Sequence, residues 1–171
     1  MIERQNILDL FGADKNKYHS CIITAYSFDF LFFEQRVLPR LRRAGMININ
    51  VFVDSKMYQQ QLSNLDGRHS INQSYSIIPI KLKGAFHPKI TILAGENDVL
   101  LLQGSGNITN GGHGKNHELF TVFYANRENQ TQLPIIQEAW LYLRRLTNKI
   151  KGISAEKIDW VSSNCNLLTD I

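Results

Sequence analysis

The chain is poor in the residues that staple small folds. It has two cysteines, Cys21 and Cys165, too few and too far apart for a disulfide framework or a zinc pattern. Cys21 opens an apolar run and reads as a small buried residue. Low-complexity stretches are missing, and no repeat has a solenoid period. The longest apolar runs are strand-sized, which argues against a membrane-spanning helix. The polar start, Met1 to Gln5, is followed by no apolar signal core, so the cytoplasm is the expected compartment. An excess of one charge is also small, at +4 net. That is compatible with a polyanionic partner, but solubility alone is the simpler account. What is present is 171 residues, 43% hydrophobic and 20% charged, enough for one globular domain with its own core and too few for two of ordinary size.

Asn6–Phe11 reads as a short helix or an arm. Cys21–Ser27 is a first strand, apolar enough to be buried on both faces, and Ser27 or Asp29 can cap the helix that follows. Apolar residues at 30, 31, 33, 37, 38 and 41 have helical spacing, with a basic back of Arg36, Arg40, Arg42 and Arg43. Pro39 should kink or restart that helix, and Gly45 is a natural stop. Ile47–Val53 predicts a second strand. Asp54 or Ser55 caps a helix over Lys56–Leu65, which Asp66-Gly67 ends. Tyr75–Leu82 predicts a third strand, placed by Pro79 at an edge or a bulge. Three more are expected at His87–Leu93, Val99–Leu102 and Glu118–Tyr124, the first two joined by a hairpin at 94–98.

Leu133–Ile150 predicts a helix with Ile136, Ala139, Trp140, Leu143 and Leu146 inward. Residues 152–171 read as a polar tail, docked only by Ile158, Trp160 and Val161, and as a candidate linker to further domains. Two βα crossovers imply parallel strands covered by helices. The expected fold is α/β, a mixed sheet flanked by helices on both faces, forming one domain over 1–171 with its core at about 20–150.

The chemistry concentrates between Phe86 and Phe120. His87 and Lys89 share a face if they head a strand, roughly 7 Å apart at ~3.3 Å per residue. An ammonium beside an imidazole favours the neutral ring that a nucleophile or general base needs, and it can hold a phosphate oxygen as a point charge. Gly104-Ser105-Gly106-Asn107 follows a strand directly. Its glycines let backbone N–H groups approach an anion, and Ser105, Asn107 and Thr109 add uncharged donors for a phosphoryl centre. Asn116-x-Glu118 opens the next strand, and Glu118 could orient an imidazole by accepting its N–H. Ser105 and Asn107 also suit a turn for local reasons, but beside the other polar groups of this stretch the functional reading is favoured. Gly111-Gly112-His113-Gly114 lacks the ending of a nucleotide-phosphate loop and reads as a flexible loop. The arginine-rich helix back reads as a solvated face, while Lys81 and Lys83 are better placed to meet a polyanion.

His87-x-Lys89, then Gly104-Ser105-x-Asn107, then Asn116-x-Glu118, each at a strand end, resembles the phospholipase D superfamily. The resemblance spans about residues 20–150. One departure is Ala94, where that family carries an aspartate. Asp98 lies nearby in the turn. The resemblance implies a phosphodiesterase that needs no metal or cofactor. It implies His87 as the nucleophile that forms a phosphohistidine, and Lys89 and Asn107 as binders of the non-bridging oxygens. Ser105, Gly104, Thr109 and Asn116 would support the substrate, and Glu118 would orient the imidazole. The second histidine of such a mechanism comes from a second motif copy, and the full compound pattern occurs once here. A homodimer completing the site is therefore implied. Single-copy members are small or restriction-type nucleases, which makes nucleic acid, DNA in particular, the expected partner, with no membrane. By analogy alone the chain would be the nuclease module of a restriction or phage-defence factor. A catalytically silent dimerising or nucleic-acid-binding module on the same fold is the alternative. A phospholipid or small diester substrate is a weaker option, unsupported by any membrane-binding helix.

Overall fold

The computed structural model describes residues 7–11, 15–63, 71, 73–112, 118–148 and 152–169. A short helix α1, Ile7–Leu10, leads to strand β1, Ser20–Ala25, whose six residues are all buried. Next comes a composite helix: α2 at Phe30–Phe32, a π-helical turn at Phe33–Val37, and α3 at Leu38–Arg43. Asp29 caps it, its side chain accepting the Phe32 N–H at 2.9 Å, as a short polar residue before an apolar helix should. Pro39 lies in the first turn of α3, directly after the π turn. That is the expected restart, because proline brings no N–H to the helix ladder.

Strand β2, Asn48–Asp54, runs into α4, Ser55–Leu62. Strands β3 (Ser76–Ile80), β4 (Ile90–Ala94), β5 (Asp98–Gly104) and β6 (Phe120–Asn126) follow. Helices α5, Leu133–Thr147, and α6, Ile153–Ser163, complete the described chain.

The six strands form one sheet in the order β3-β2-β1-β4-β5-β6. β1, β2 and β3 are parallel, and β4, β5 and β6 alternate against them. This is the α/β mixed sheet anticipated from the sequence. Pro79 sits exposed on β3, an edge strand, where no second neighbour asks for its missing N–H.

Alternate residues feed two cores. On one face Cys21, Ile23, Val51 and Leu93 pack with Phe33, Val37 and Leu41 of the composite helix. On the other, Ile22, Phe52, Ile92 and Leu101 pack with Trp140 and Leu143 of α5 and Ile158 and Val161 of α6. The arginine-rich helix back is outside, with Arg36, Arg42 and Arg43 exposed; Arg42 also reaches the carbonyls of Met46 and Ile47 at 3.1 and 3.3 Å.

Three expectations need correcting. Residues 152–169 are not a polar tail. They hold α6 and a following turn whose Cys165, Leu167 and Leu168 are buried with Ile158 and Val161. Of the three residues expected to dock it, Trp160, 37% exposed, stays at the surface. Strand β4 starts at Ile90 rather than His87. Pro88 offers no N–H, and the Ile90 N–H is taken at 2.8 Å by the Thr24 hydroxyl, so a regular ladder begins only beyond it. Strand β6 starts at Phe120, two residues after Glu118. The expected helix end near Asp66-Gly67 lies outside the described residues.

Among the described residues no helix is long and apolar enough to cross a membrane.

Candidate active site

The strand directions decide where polar groups meet. With β1, β2 and β5 running one way and β4 and β6 the other, the ends of the first three share a rim with the starts of the last two. His87 and Lys89 precede β4, Ser105 and Asn107 follow β5, and Glu118 precedes β6. All five therefore come to one rim from segments that are far apart in sequence.

Two buried anchors hold the His87 segment. Phe86 is fully buried in the core shared with α5. Its N–H donates at 2.9 Å to Asp54 Oδ2, while Asp54 Oδ1 accepts from Lys56 and Met57 at 3.0 and 3.2 Å. One carboxylate thus caps α4 and fastens the backbone next to His87. Burial alone would raise the Asp54 pKa, but three backbone N–H donors and the Lys56 charge outweigh it and hold the carboxyl below its usual range.

His87 itself is exposed. The Lys89 ammonium lies 2.5 Å from its Nδ1 and 3.2 Å from its Nε2, and donates to the His87 carbonyl at 3.1 Å. The lysine's pKa is lowered, chiefly by burial, against an opposing pull from the Glu118 carboxylate. The Tyr26 ring sits beside the imidazole with centroids 4.7 Å apart and planes at 36°. An open cleft of about 420 Å³ begins here, lined by His87, Pro88, Lys89, Ile90, Gln103, Gly104 and Ser105.

Across the cleft, Ser105 donates its hydroxyl proton to Glu118 Oε2 and accepts the Leu119 N–H at 3.3 Å. Glu118 is therefore bonded to Ser105, not to the imidazole that the sequence assigned to it. Asn107 Oδ1 accepts the N–H groups of Tyr26 and Ser27 at 3.1 and 3.2 Å, which leaves the amide's N–H₂ end for a ligand. The Thr109 hydroxyl takes the Gly112 N–H at 3.0 Å.

The glycines have a packing reason as well. A Cβ on Gly106 would lie 2.5 Å from the Gly112 carbonyl and 2.8 Å from the Phe120 ring, and one on Gly104 would lie 2.5 Å from the Leu119 carbonyl. Any side chain there would force the two segments apart.

Asn116, His113 and His117 lie outside the described residues. A second His-x-Lys spacing also occurs there, His113-Gly114-Lys115. It has no Gly-Ser-x-Asn after it, so the compound pattern still occurs once. Ala94 is fully buried at the far end of β4, at the opposite rim. A carboxylate there would not reach the cleft. Asp98 does not stand in for it: it faces Lys17 at 3.5 Å and the Tyr124 hydroxyl.

Sequence reasoning missed Tyr26, Asp54 and Gln103. From the sequence Asp54 reads only as a helix cap. Position just past a buried strand was the signal available for the first two. Among the described residues no group of three or more His, Cys, Asp and Glu side chains is placed to hold a metal ion.

No protein-family model matches the chain, and no curated protein matches it. Solved structures do. NucT from Helicobacter pylori aligns over 82% of this chain and 84% of its own, at 16% identity and a TM-score of 0.52. Nuc from Salmonella typhimurium, described as a phospholipase D family member, aligns over 83% and 82%, at 19% identity and a TM-score of 0.51. A mutant yeast tyrosyl-DNA phosphodiesterase aligns over 89% of this chain and 37% of its own, at 13% identity and a TM-score of 0.51. At these identities the likeness is one of fold, and the fold agrees with the order of motifs along the rim: the chain has a phospholipase D-like fold.

Proposed function

We propose that the chain is a metal-independent phosphodiesterase acting on nucleic acid, DNA in the first place, as an endonuclease. The observation that carries this reading is the imidazole of His87 opening into a cleft with the Lys89 ammonium 2.5 Å away. The donor end of Asn107 and the backbone around Gly104 and Ser105 stand at the same rim.

A phosphate entering the cleft would draw the ammonium off the ring and onto its non-bridging oxygens. His87 then attacks phosphorus: the P–N bond forms and the bond to the leaving oxygen breaks. A second imidazolium gives that oxygen its proton, then as the neutral base takes a proton from the water that hydrolyses the phosphohistidine. A second copy of this chain supplies the second imidazole across a two-fold axis, an arrangement in which one residue serves both sides. Exposed Lys81 and Lys83, just upstream of His87, suit a polyanionic backbone. The naming of one fold neighbour as a tyrosyl-DNA phosphodiesterase favours a diester on DNA. A role in restriction or phage defence goes with this reading by analogy only.

The test is cleavage of end-labelled DNA in excess EDTA by wild type, His87→Ala and His113→Ala, with sedimentation to read the assembly. Cleavage in EDTA by a dimer, lost in His87→Ala and kept in His113→Ala, supports the whole scheme. Activity abolished by chelator removes the metal-free mechanism. Loss in His113→Ala, with a monomer in solution, moves the acid into the same chain. Salt-sensitive DNA binding without turnover leaves a binding module instead.

A further inference from the structure

We infer that Tyr26 is a positioning residue for the His87 imidazole, and that the amide oxygen of Asn107 sets Tyr26 in place. The inference rests on the phosphodiesterase reading for its kinetic consequence, not for its geometry.

His87 is exposed on an irregular segment, so nothing in the local backbone locks its ring. Attack on phosphorus needs the reacting nitrogen within about 3–3.5 Å and in line, and a freely turning ring meets that condition rarely. The carboxylate expected to hold it, Glu118, is engaged with Ser105. Two groups do meet the ring. Lys89 lies at its nitrogen edge, but as a phosphate ligand Lys89 must let go when substrate arrives. Tyr26 lies against the ring, centroids 4.7 Å apart, and has no reason to leave.

Tyr26 is itself well fixed. It follows the fully buried Ala25 at the end of β1, and Phe28, 1% exposed, anchors the chain two residues later. Its N–H and that of Ser27 converge on Asn107 Oδ1. One amide therefore carries two tasks: its oxygen builds the wall behind the nucleophile, and its N–H₂ end is left for an anion. The contact needs the aromatic ring and not the hydroxyl, since no hydrogen bond of the Tyr26 hydroxyl to a described residue accompanies it.

The experiment compares Tyr26→Phe, Tyr26→Leu, Asn107→Asp and Asn107→Ala in the full chain. Steady-state kinetics on bis(p-nitrophenyl) phosphate are read beside NMR of ¹³C-labelled histidine. Tyr26→Leu is expected to lower kcat about tenfold or more with KM within about twofold. It should also remove the ring-current shift from the His87 resonances while leaving those of His19, which report an intact fold. Tyr26→Phe should restore both readouts. Asn107→Asp keeps an acceptor for the two N–H groups, so the His87 resonances stay while turnover falls; Asn107→Ala loses both. Wild-type kcat in Tyr26→Leu, or unchanged His87 resonances in it, overturns the inference. Equal damage in Tyr26→Phe overturns the ring as the agent. If wild type hydrolyses no diester, the phosphodiesterase reading falls, and the NMR arms still judge whether Tyr26 places the imidazole.

Discussion

Two histidines stand at opposite rims of the same sheet and are treated in opposite ways. His19, just before β1, has both ring nitrogens engaged: Nδ1 lies 2.9 Å from the Ser20 hydroxyl and Nε2 donates to the Asn164 carbonyl at 2.8 Å. The Trp160 ring meets it edge-on at 4.9 Å. Its neighbours are also bonded to one another, although the buried Asn50 Oδ1 has no partner among the described residues. Asn50 donates to Asn48, Asn48 to the Lys157 carbonyl, and Lys157 to Ser76. That rim uses polar groups to fasten α6 to the sheet. At the other rim His87 is exposed, touched by the Lys89 ammonium and one aromatic ring. Groups satisfied by one another stabilise a fold, and groups left facing a cleft can bind or react. Composition does not separate the two rims. Commitment of the hydrogen bonds does.

The contrast can be broken most sharply at His87. His87→Ala should lower turnover by at least about three orders of magnitude and move stability by no more than about 0.5 kcal/mol, as for an exposed side chain. Urea unfolding beside the cleavage assay checks both, and a destabilised but active variant would invert the assignment of the rims.

Asp54 tests whether the reactive rim has a rigid base. Asp54→Asn cannot accept from Phe86 as well as from Lys56 and Met57, so a loss of about 1–3 kcal/mol is expected, about 2–4 °C in Tm per kcal/mol. The carboxyl is held below its ordinary 3.8. Its contribution is therefore present above that pH and is lost as pH falls through the folded value. The stability gap between wild type and variant should close in acid; a gap independent of pH would argue against the ionised cap.

His19→Ala should cost about 1–2 kcal/mol of stability through its two hydrogen bonds and leave kcat unchanged, the mirror image of His87→Ala. The smallest expected effect is on pH. Burial brings Lys89 below its ordinary 10.5, so the ammonium is lost, and turnover with it, at lower pH than for an exposed lysine. Lys89→Arg should carry the alkaline limb of the pH–rate profile upward, and an unmoved limb would mean another group titrates there.

Much of this was legible in the sequence because it rests on periodicity. The all-buried strands, the composite helix with its restart at Pro39, and the inward stripe of α5 follow from spacing of apolar residues. The rim residues were legible because unusual polar groups recur at strand ends. What was hidden depends on contacts between distant segments. Helix α6 looked polar because Ile158 and Val161 give it only one turn of apolar spacing, and Leu167 and Leu168, which finish its seat, come after the helix. The Ser105–Glu118 bond, the Tyr26 ring beside His87 and the Asp54–Phe86 clasp join residues 13, 61 and 32 positions apart (118 − 105, 87 − 26, 86 − 54). No local pattern encodes such pairs.

Strand β4 gives the linear motif a meaning as a gauge. His87 and Lys89 lie at one rim and Ala94 at the other, so the residues between them measure the width of the sheet. A residue inserted within Ile90–Ala94 would either turn the histidine and lysine away from the cleft or drive Ala94 out of the core, since a single-residue slip reverses every side chain beyond it. Residues 95–97, past the end of that gauge, can lengthen without moving His87. Tolerance to insertion should therefore change abruptly at Gly95, a boundary set by strand length and not by distance from the cleft.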